Sequence, residues 1–118
     1  MNIEEFREYC LQKKGITEET PFGPDVLVFK VMGKMFALCG IEDFTYINLK
    51  CDPDRAIELR EQYNAIKPGY HMNKQLWNSV YVNDDVADQM VYELTDHSYD
   101  LIVASLTKKL QKELEGMN

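Results

Sequence analysis

The sequence predicts an α+β fold: a two-layer sandwich with an antiparallel sheet and helices on one face. Three observations predict it. Apolar stretches of strand length occupy the middle of the chain, while helical periodicity marks both ends. One helical segment alone interrupts the strands, which leaves few β-α-β crossovers for a parallel sheet. Within the stretch Phe44–Lys50, Thr45, Ile47 and Leu49 alternate with Tyr46, Asn48 and Lys50, the pattern of a sheet with one face in water. At 118 residues, 45% of them hydrophobic, the chain reads as a single domain, 1–118, able to bury a core without disulfides.

Each element has a local reason. Asn2 caps a helix that continues to about Lys14, with Glu4 and Glu5 in its first turn, Lys13 and Lys14 in its last, and Gly15 as a stop. Its apolar stripe is Ile3, Phe6, Cys10 and Leu11. Thr20-Pro21-Phe22-Gly23-Pro24 excludes regular structure and reads as a linker. Val26–Val31 and Met35–Cys39 form strands about a Met32-Gly33-Lys34 turn, and Glu42-Asp43 turns the chain into Phe44–Lys50. The expected wet face carries Tyr46, Asn48, Lys50 and Lys30. Asp52 with Pro53 behind it starts a helix that runs to about Tyr63. Pro68-Gly69 then breaks the chain between two short strands, Ile66–Met72 and Leu76–Val82. Asn83-Asp84-Asp85 turns and caps a long helix with Ala87, Met90, Val91, Leu94, Leu101 and Ile102 on its stripe and Asp88, Glu93, Asp96 and Asp100 facing away. Thr107 caps a short last helix that presents Leu110 and Leu114. The predicted order is α-β-β-β-α-β-β-α plus the short C-terminal helix.

Charge divides the chain. The net −7 falls on the ends: residues 1–20 carry −2, residues 21–82 balance at zero, and residues 83–118 carry −5. So acidic a body is a poor non-specific ligand for nucleic acid, whose binding rests on phosphate neutralisation. Cys10, Cys39 and Cys51 are odd in number and widely spaced, which predicts buried reduced thiols and excludes a disulfide framework or zinc site. Nucleophile-elbow, phosphate-loop and zinc-protease motifs are lacking, and His71 and His97 fall on different elements. Asp52 and Asp54, and Asp84-Asp85, have helix capping as a sufficient role. The expectation is a non-enzyme without cofactor or metal. No apolar run reaches the roughly 18 residues of a membrane span, and the first residues lack a leader's layout, so the expected location is cytoplasmic.

The stretch Lys67-Pro68-Gly69-Tyr70-His71-Met72-Asn73-Lys74-Gln75-Leu76-Trp77 stands apart. It contains the sole tryptophan and lies in the acid-free run between Glu61 and Asp84. As a contact surface, it offers Lys67 and Lys74 to phosphates, His71 and Asn73 as hydrogen-bonding groups, and Trp77 as a stacking or wedging ring. As architecture, Trp77 packs under the last long helix while Asn73 and His71 satisfy a tight turn.

These residues carry a resemblance that covers nearly the whole chain. Phe6-x-x-Tyr9-Cys10, the Phe29-Lys30-Val31 to Phe36-Ala37 hairpin, Leu49-Lys50-Cys51-Asp52-Pro53, the 68–77 segment and Asp96-His97-Ser98-Tyr99 resemble the MmcQ/YjbR family. The sequence departs from that pattern at Leu76, where the family often has histidine. The resemblance implies a fold similar to the CyaY-like and secretion-chaperone-like folds. It also implies binding of double-stranded DNA through a "double-wing" pair of β-hairpins, with Lys50, Lys67, His71, Asn73, Lys74 and Trp77 as candidate contacts; on that expectation Lys30 is a further phosphate contact and Tyr70 a second stacking or wedging ring. A second expectation is a protein-interaction or chaperone-like module that uses the same face or an exposed sheet edge for a peptide or a second copy. A metal role by analogy with iron-binding CyaY-like proteins would fall on Glu4, Glu5 and Glu8, which the helix dipole already explains.

Overall fold

The computed structural model describes residues 1–117. In order, the elements are α1 (Ile3–Leu11), β1 (Ile16–Glu19), β2 (Val26–Val31), β3 (Lys34–Gly40), β4 (Tyr46–Lys50), α2 (Pro53–Gln62), β5 (Ile66–Pro68), β6 (Trp77–Tyr81), α3 (Asp88–Ser105) and α4 (Lys108–Glu115). The strands form a single antiparallel sheet in the order β1-β2-β3-β4-β6-β5. The α+β class and the antiparallel sheet are as the sequence predicts.

Alternation along the strands builds the main core. Phe29 and Val31 of β2, Ala37 and Cys39 of β3, Ile47 and Leu49 of β4 and Val80 of β6 share one cluster with the buried residues of the helices. The helices contribute Phe6 and Cys10 (α1), Ala56 and Leu59 (α2), Val91, Leu94 and Ile102 (α3) and Leu114 (α4), so all four pack on one face. Phe6 meets Phe29 edge-on at 5.8 Å, and both rings are fully buried. Removing either ring would cost about 3–5 kcal/mol, comparable with much of a small domain's stability.

Several expectations are corrected. The sheet gains an edge strand, β1, whose Ile16-Thr17-Glu18-Glu19 reads as polar. Glu18 accepts from Arg7 at 2.5 and 2.7 Å, and Glu19 pairs with Lys30 at 2.6 Å. Helix α1 ends at Leu11, which frees Lys13 to reach Asp96 at 2.5 Å. Asp96, expected to face away, also accepts from the Tyr9 hydroxyl at 2.7 and 2.8 Å and so ties α1 to α3. Asp84-Asp85 do not cap α3, which starts behind Ala87 without a side-chain cap. Asp85 instead accepts from the backbone N–H groups of Asn64 and Ala65 at 2.7 and 2.8 Å. The strand predicted over Ile66–Met72 stops at Pro68. By contrast, Asn2 forms a full capping box with Glu5, and Asp52 and Thr107 cap their helices as expected.

A bulge in the β2–β3 ladder fixes α3. Phe29 pairs with Ala37 and Lys30 with Met35, leaving Phe36 as the extra residue. The Phe36 carbonyl accepts from the Ser98 hydroxyl at 2.6 Å, and the Ser98 Oγ in turn accepts from the Lys50 N–H at 2.9 Å. Ser98 is fully buried. Ser98→Ala therefore strands two backbone groups; at about 1–3 kcal/mol for each, we expect urea unfolding to show at least about 2 kcal/mol lost with an unchanged m-value.

Candidate functional site

Register assigns the second sheet face. Trp77 opposes Lys50, Ser79 opposes both Asn48 and Lys67, and Tyr81 opposes Tyr46. Leu38 opposes Asn48 and Val28, and Lys30 opposes Met35. Lys30, Lys50 and Lys67 thus share the face away from the helices. This face is not the open, wet surface expected from alternation. Val28, Leu38 and Trp77 form a second buried cluster there, with Val26, Met35, Met72 and Leu76 packed around it. Asn48 and Ser79 are also buried.

The cover is the segment after β5. Pro68 ends the ladder, and Gly69 takes the chain across β6. A Cβ at Gly69 would lie 2.8 Å from the Trp77 Cβ and 2.9 Å from the Trp77 carbonyl oxygen, so only glycine fits this approach. Three hydrogen bonds then close a ring. The Tyr70 N–H donates to the Ser79 hydroxyl at 2.9 Å, the Ser79 O–H donates to Asn48 Oδ1, and Asn48 Nδ2 donates to the Tyr70 carbonyl at 3.1 Å. His71 follows at φ +60°, a left-handed conformation that turns the chain back. The Asn73 side chain accepts from the N–H groups of Gln75 and Leu76 at 3.0 and 3.2 Å, an Asx turn leading into β6.

Positions of the sequence-predicted residues follow from this cover. Trp77 is only 9% exposed, so neither expected position describes it. It is not a free stacking ring, and it lies on the sheet face opposite the helices rather than under the last long one. Lys74 donates to the Gly69 carbonyl at 3.0 Å. Lys30 is held by Glu19, while Tyr70, His71 and Lys67 stay exposed. Arg60 was not singled out from the sequence, yet it braces the segment. Its Nε donates to Asn78 Oδ1 at 2.7 Å, and its Nη2 donates to the carbonyls of Lys74 and, at 3.3 Å, Trp77. Asn48 and Ser79 were missed as well; a polar pair inside apolar strands was the available signal.

Between the segment and the 20–24 loop lies a groove of about 450 Å³. Val26, Leu38, Tyr46 and Asn48 line it, and Phe22 and Tyr70 stand beside it 62% and 56% exposed. Tyr46 packs edge-on against Tyr70 at 6.2 Å and tilted against Tyr81 at 5.2 Å. Charge across the face is bipolar. Lys30 and Lys50 sit at one end of the strands; Asp43 and its neighbours Asp25 and Glu42 sit at the other, where Val26 pairs with Gly40.

Reactive groups elsewhere are buried or engaged. Desolvation pushes the Cys51 and Cys39 thiols up to about 11 and about 12, and drives the Cys10 thiol higher still. His97 Nε2 accepts from the Asp52 N–H at 3.1 Å, which requires the neutral ring. Burial, then the nearby Arg55 guanidinium, lowers its pKa, against the opposing pull of Asp52 and Asp100. Glu5 reaches back to the Asn2 N–H at 3.1 Å, and among the described residues no three His, Cys, Asp or Glu gather to hold a metal. No helix among them is long and apolar enough to cross a membrane.

Comparison with known proteins agrees with this architecture. The YjbR family model matches residues 11–101. The uncharacterised Escherichia coli O157:H7 protein YbdF is 41% identical over 95 residues, 80% of this chain and 78% of its own. The uncharacterised protein YjbR of Escherichia coli K12 is 31% identical over 115 residues, 97% of this chain and 98% of its own. A Deinococcus radiodurans crystal structure superposes with a TM-score of 0.89 at 36% identity, covering 97% of this chain and 88% of that one. A Pseudomonas syringae crystal structure gives 0.73 at 29% identity, over 86% and 98%. The chain belongs to the YjbR family.

Two outcomes follow from this geometry. Asn48→Ala breaks the ring and leaves the Ser79 hydroxyl and Tyr70 carbonyl short of a partner, at a cost of about 1–3 kcal/mol. Because Trp77 is the only tryptophan, its emission should shift to the red as the cover loosens. His97 gives a pH dependence. Its folded pKa lies below the unfolded value of about 6.5, so stability is full above that pH and falls below it as the unfolded chain takes up the proton first. Thermal unfolding between about pH 7.5 and 5.5 should show this slope in the wild type and a smaller one in His97→Gln.

Proposed function

We propose that this YjbR-family protein is a non-catalytic binding module whose groove on the second sheet face receives an extended, apolar segment of a partner protein. The observation that carries this reading is the groove itself, a cleft of about 450 Å³ with two exposed aromatic rings beside an apolar floor. Preformed apolar clefts of that size bind ligands, and rings left in water beside one gain by being covered. The non-catalytic part is supported by thiols that burial keeps protonated and by a histidine whose lone pair is already used.

Duplex DNA gripped by a double wing, the β2–β3 and β5–β6 hairpins, is the second reading. It is favoured by Lys30, Lys50 and Lys67 sharing one face. Three facts weigh against it. Lys30 is neutralised by Glu19, the Trp77 ring lies beneath the cover, and Asp25, Glu42 and Asp43 would face phosphates at the other end. Phosphate neutralisation supplies most of such affinity, and a net charge of −7 opposes it.

An amide NMR titration separates the two. With a short apolar peptide, we expect shifts at Val26, Leu38, Tyr46 and Tyr70 that persist between about 50 and 200 mM salt. A mixed-sequence duplex should leave those amides in place at both. Shifts at Lys50, Lys67 and Lys74 that appear with duplex and fade with salt, without any peptide response, would replace the peptide reading with the DNA one.

A further inference from the structure

Resting on that reading, we infer that the groove selects a segment carrying an aromatic residue beside a lysine or arginine, the ring seated between Phe22 and Tyr70 and the cation at the Asp43 end. Size sets the first requirement. A volume of about 450 Å³ lies low in the range of ligand sites, about 300–1,000 Å³, so it admits a ring and not a helix. Ring geometry sets the second. Tyr70 stands perpendicular to Tyr46, and Phe22 rises 62% exposed from the opposite loop. A ring between them can stack on one and meet the edge of another, which a branched aliphatic side chain cannot do.

The acidic requirement lies at one end. Asn48 on the floor already has a partner for each polar atom, Oδ1 accepting from Ser79 and Nδ2 donating to the Tyr70 carbonyl. Among the described residues Asp43 is the one acid lining the groove and no lysine or arginine lines it; His71 lines it too, its ring 4.0 Å from that of Tyr70. The Ile41 N–H donates to the Asp25 carbonyl at 3.0 Å, which draws the start of β2 against the 41–43 turn and places Asp25 and Glu42 near Asp43. None of the three acids is in an ion pair among the described residues. This end therefore attracts a cation next to the seated ring and repels an acidic neighbour.

Three labelled peptides on one Gly-Ser background test this by fluorescence anisotropy, with central Trp-Arg, Leu-Arg or Trp-Glu. We expect Trp-Arg to bind about three- to tenfold more tightly than either control, the span that an aromatic pair or a screened charge pair supplies. Phe22→Ala should erase the Trp-over-Leu preference, and Asp43→Asn the Arg-over-Glu preference, each leaving the other intact. Both side chains are exposed, so circular dichroism should confirm unchanged folding. Equal affinity for all three peptides overturns the selectivity while leaving the groove a general apolar site. Binding of none overturns the groove reading itself.

Discussion

A closed ring of three hydrogen bonds, running through the Tyr70 backbone, Ser79 and Asn48, decides what the second face of this sheet is. Both side chains are buried, in a setting where an unpaired polar group costs more than the bond itself yields. The pair can exist there only because the Tyr70 N–H and C=O complete it. In return, the pair holds a segment without regular structure flat against β6. Everything else on that face is downstream. Trp77 is covered because the segment is seated, and the groove has a second wall because Tyr70 and Met72 are fixed beside it.

The two faces are thereby stabilised by different means. Facing the helices, the sheet uses ordinary apolar burial, with Phe6, Phe29 and Phe36 fully buried. Facing the groove, it uses a small apolar cluster and a set of polar clamps: the ring, the Asn73 turn and the Arg60 fork on the Lys74 and Trp77 carbonyls. Clamps of this kind specify position more than they add stability. Such a division suits a binding surface. The rigid side sets the scaffold, and the clamped side sets the shape a ligand meets, without loading the core with exposed rings.

Local features were legible in the sequence, and features made by distant pairing were not. Asn2, Asp52 with Pro53, and Thr107 cap their helices because a cap is decided within four residues. Asp85 looked like another cap, but the N–H groups of Asn64 and Ala65, about twenty positions earlier, claim its carboxylate. Strand β1 was hidden because an edge strand needs little apolar character, and its two glutamates are satisfied by Arg7 and Lys30. Alternation in β4 correctly separated Ile47 and Leu49 from Asn48. It could not tell that Asn48 would be covered, since its partner Ser79 lies 31 residues away. The Lys67–Trp77 stretch differs in composition from its surroundings, but no local signal shows that Lys74 turns onto the Gly69 carbonyl of its own loop.

Charge placement carries the last step. A nucleic-acid surface needs one sign of charge across the length of the contact, because each neutralised phosphate adds to affinity. Here the second face runs from Lys50 at one end of β4 to Asp43 just before the other, with an apolar floor between. A rod of uniform negative charge gains at one end of that face what it loses at the other. An extended chain with its own alternating charges loses nothing, and its apolar residue falls where the floor is. On the far side, α1 and α3 carry an excess of acids, which does not steer a polyanion toward the protein. On electrostatics alone, the peptide we propose suits this face better than a duplex does, and the acidic end of the groove would set its direction.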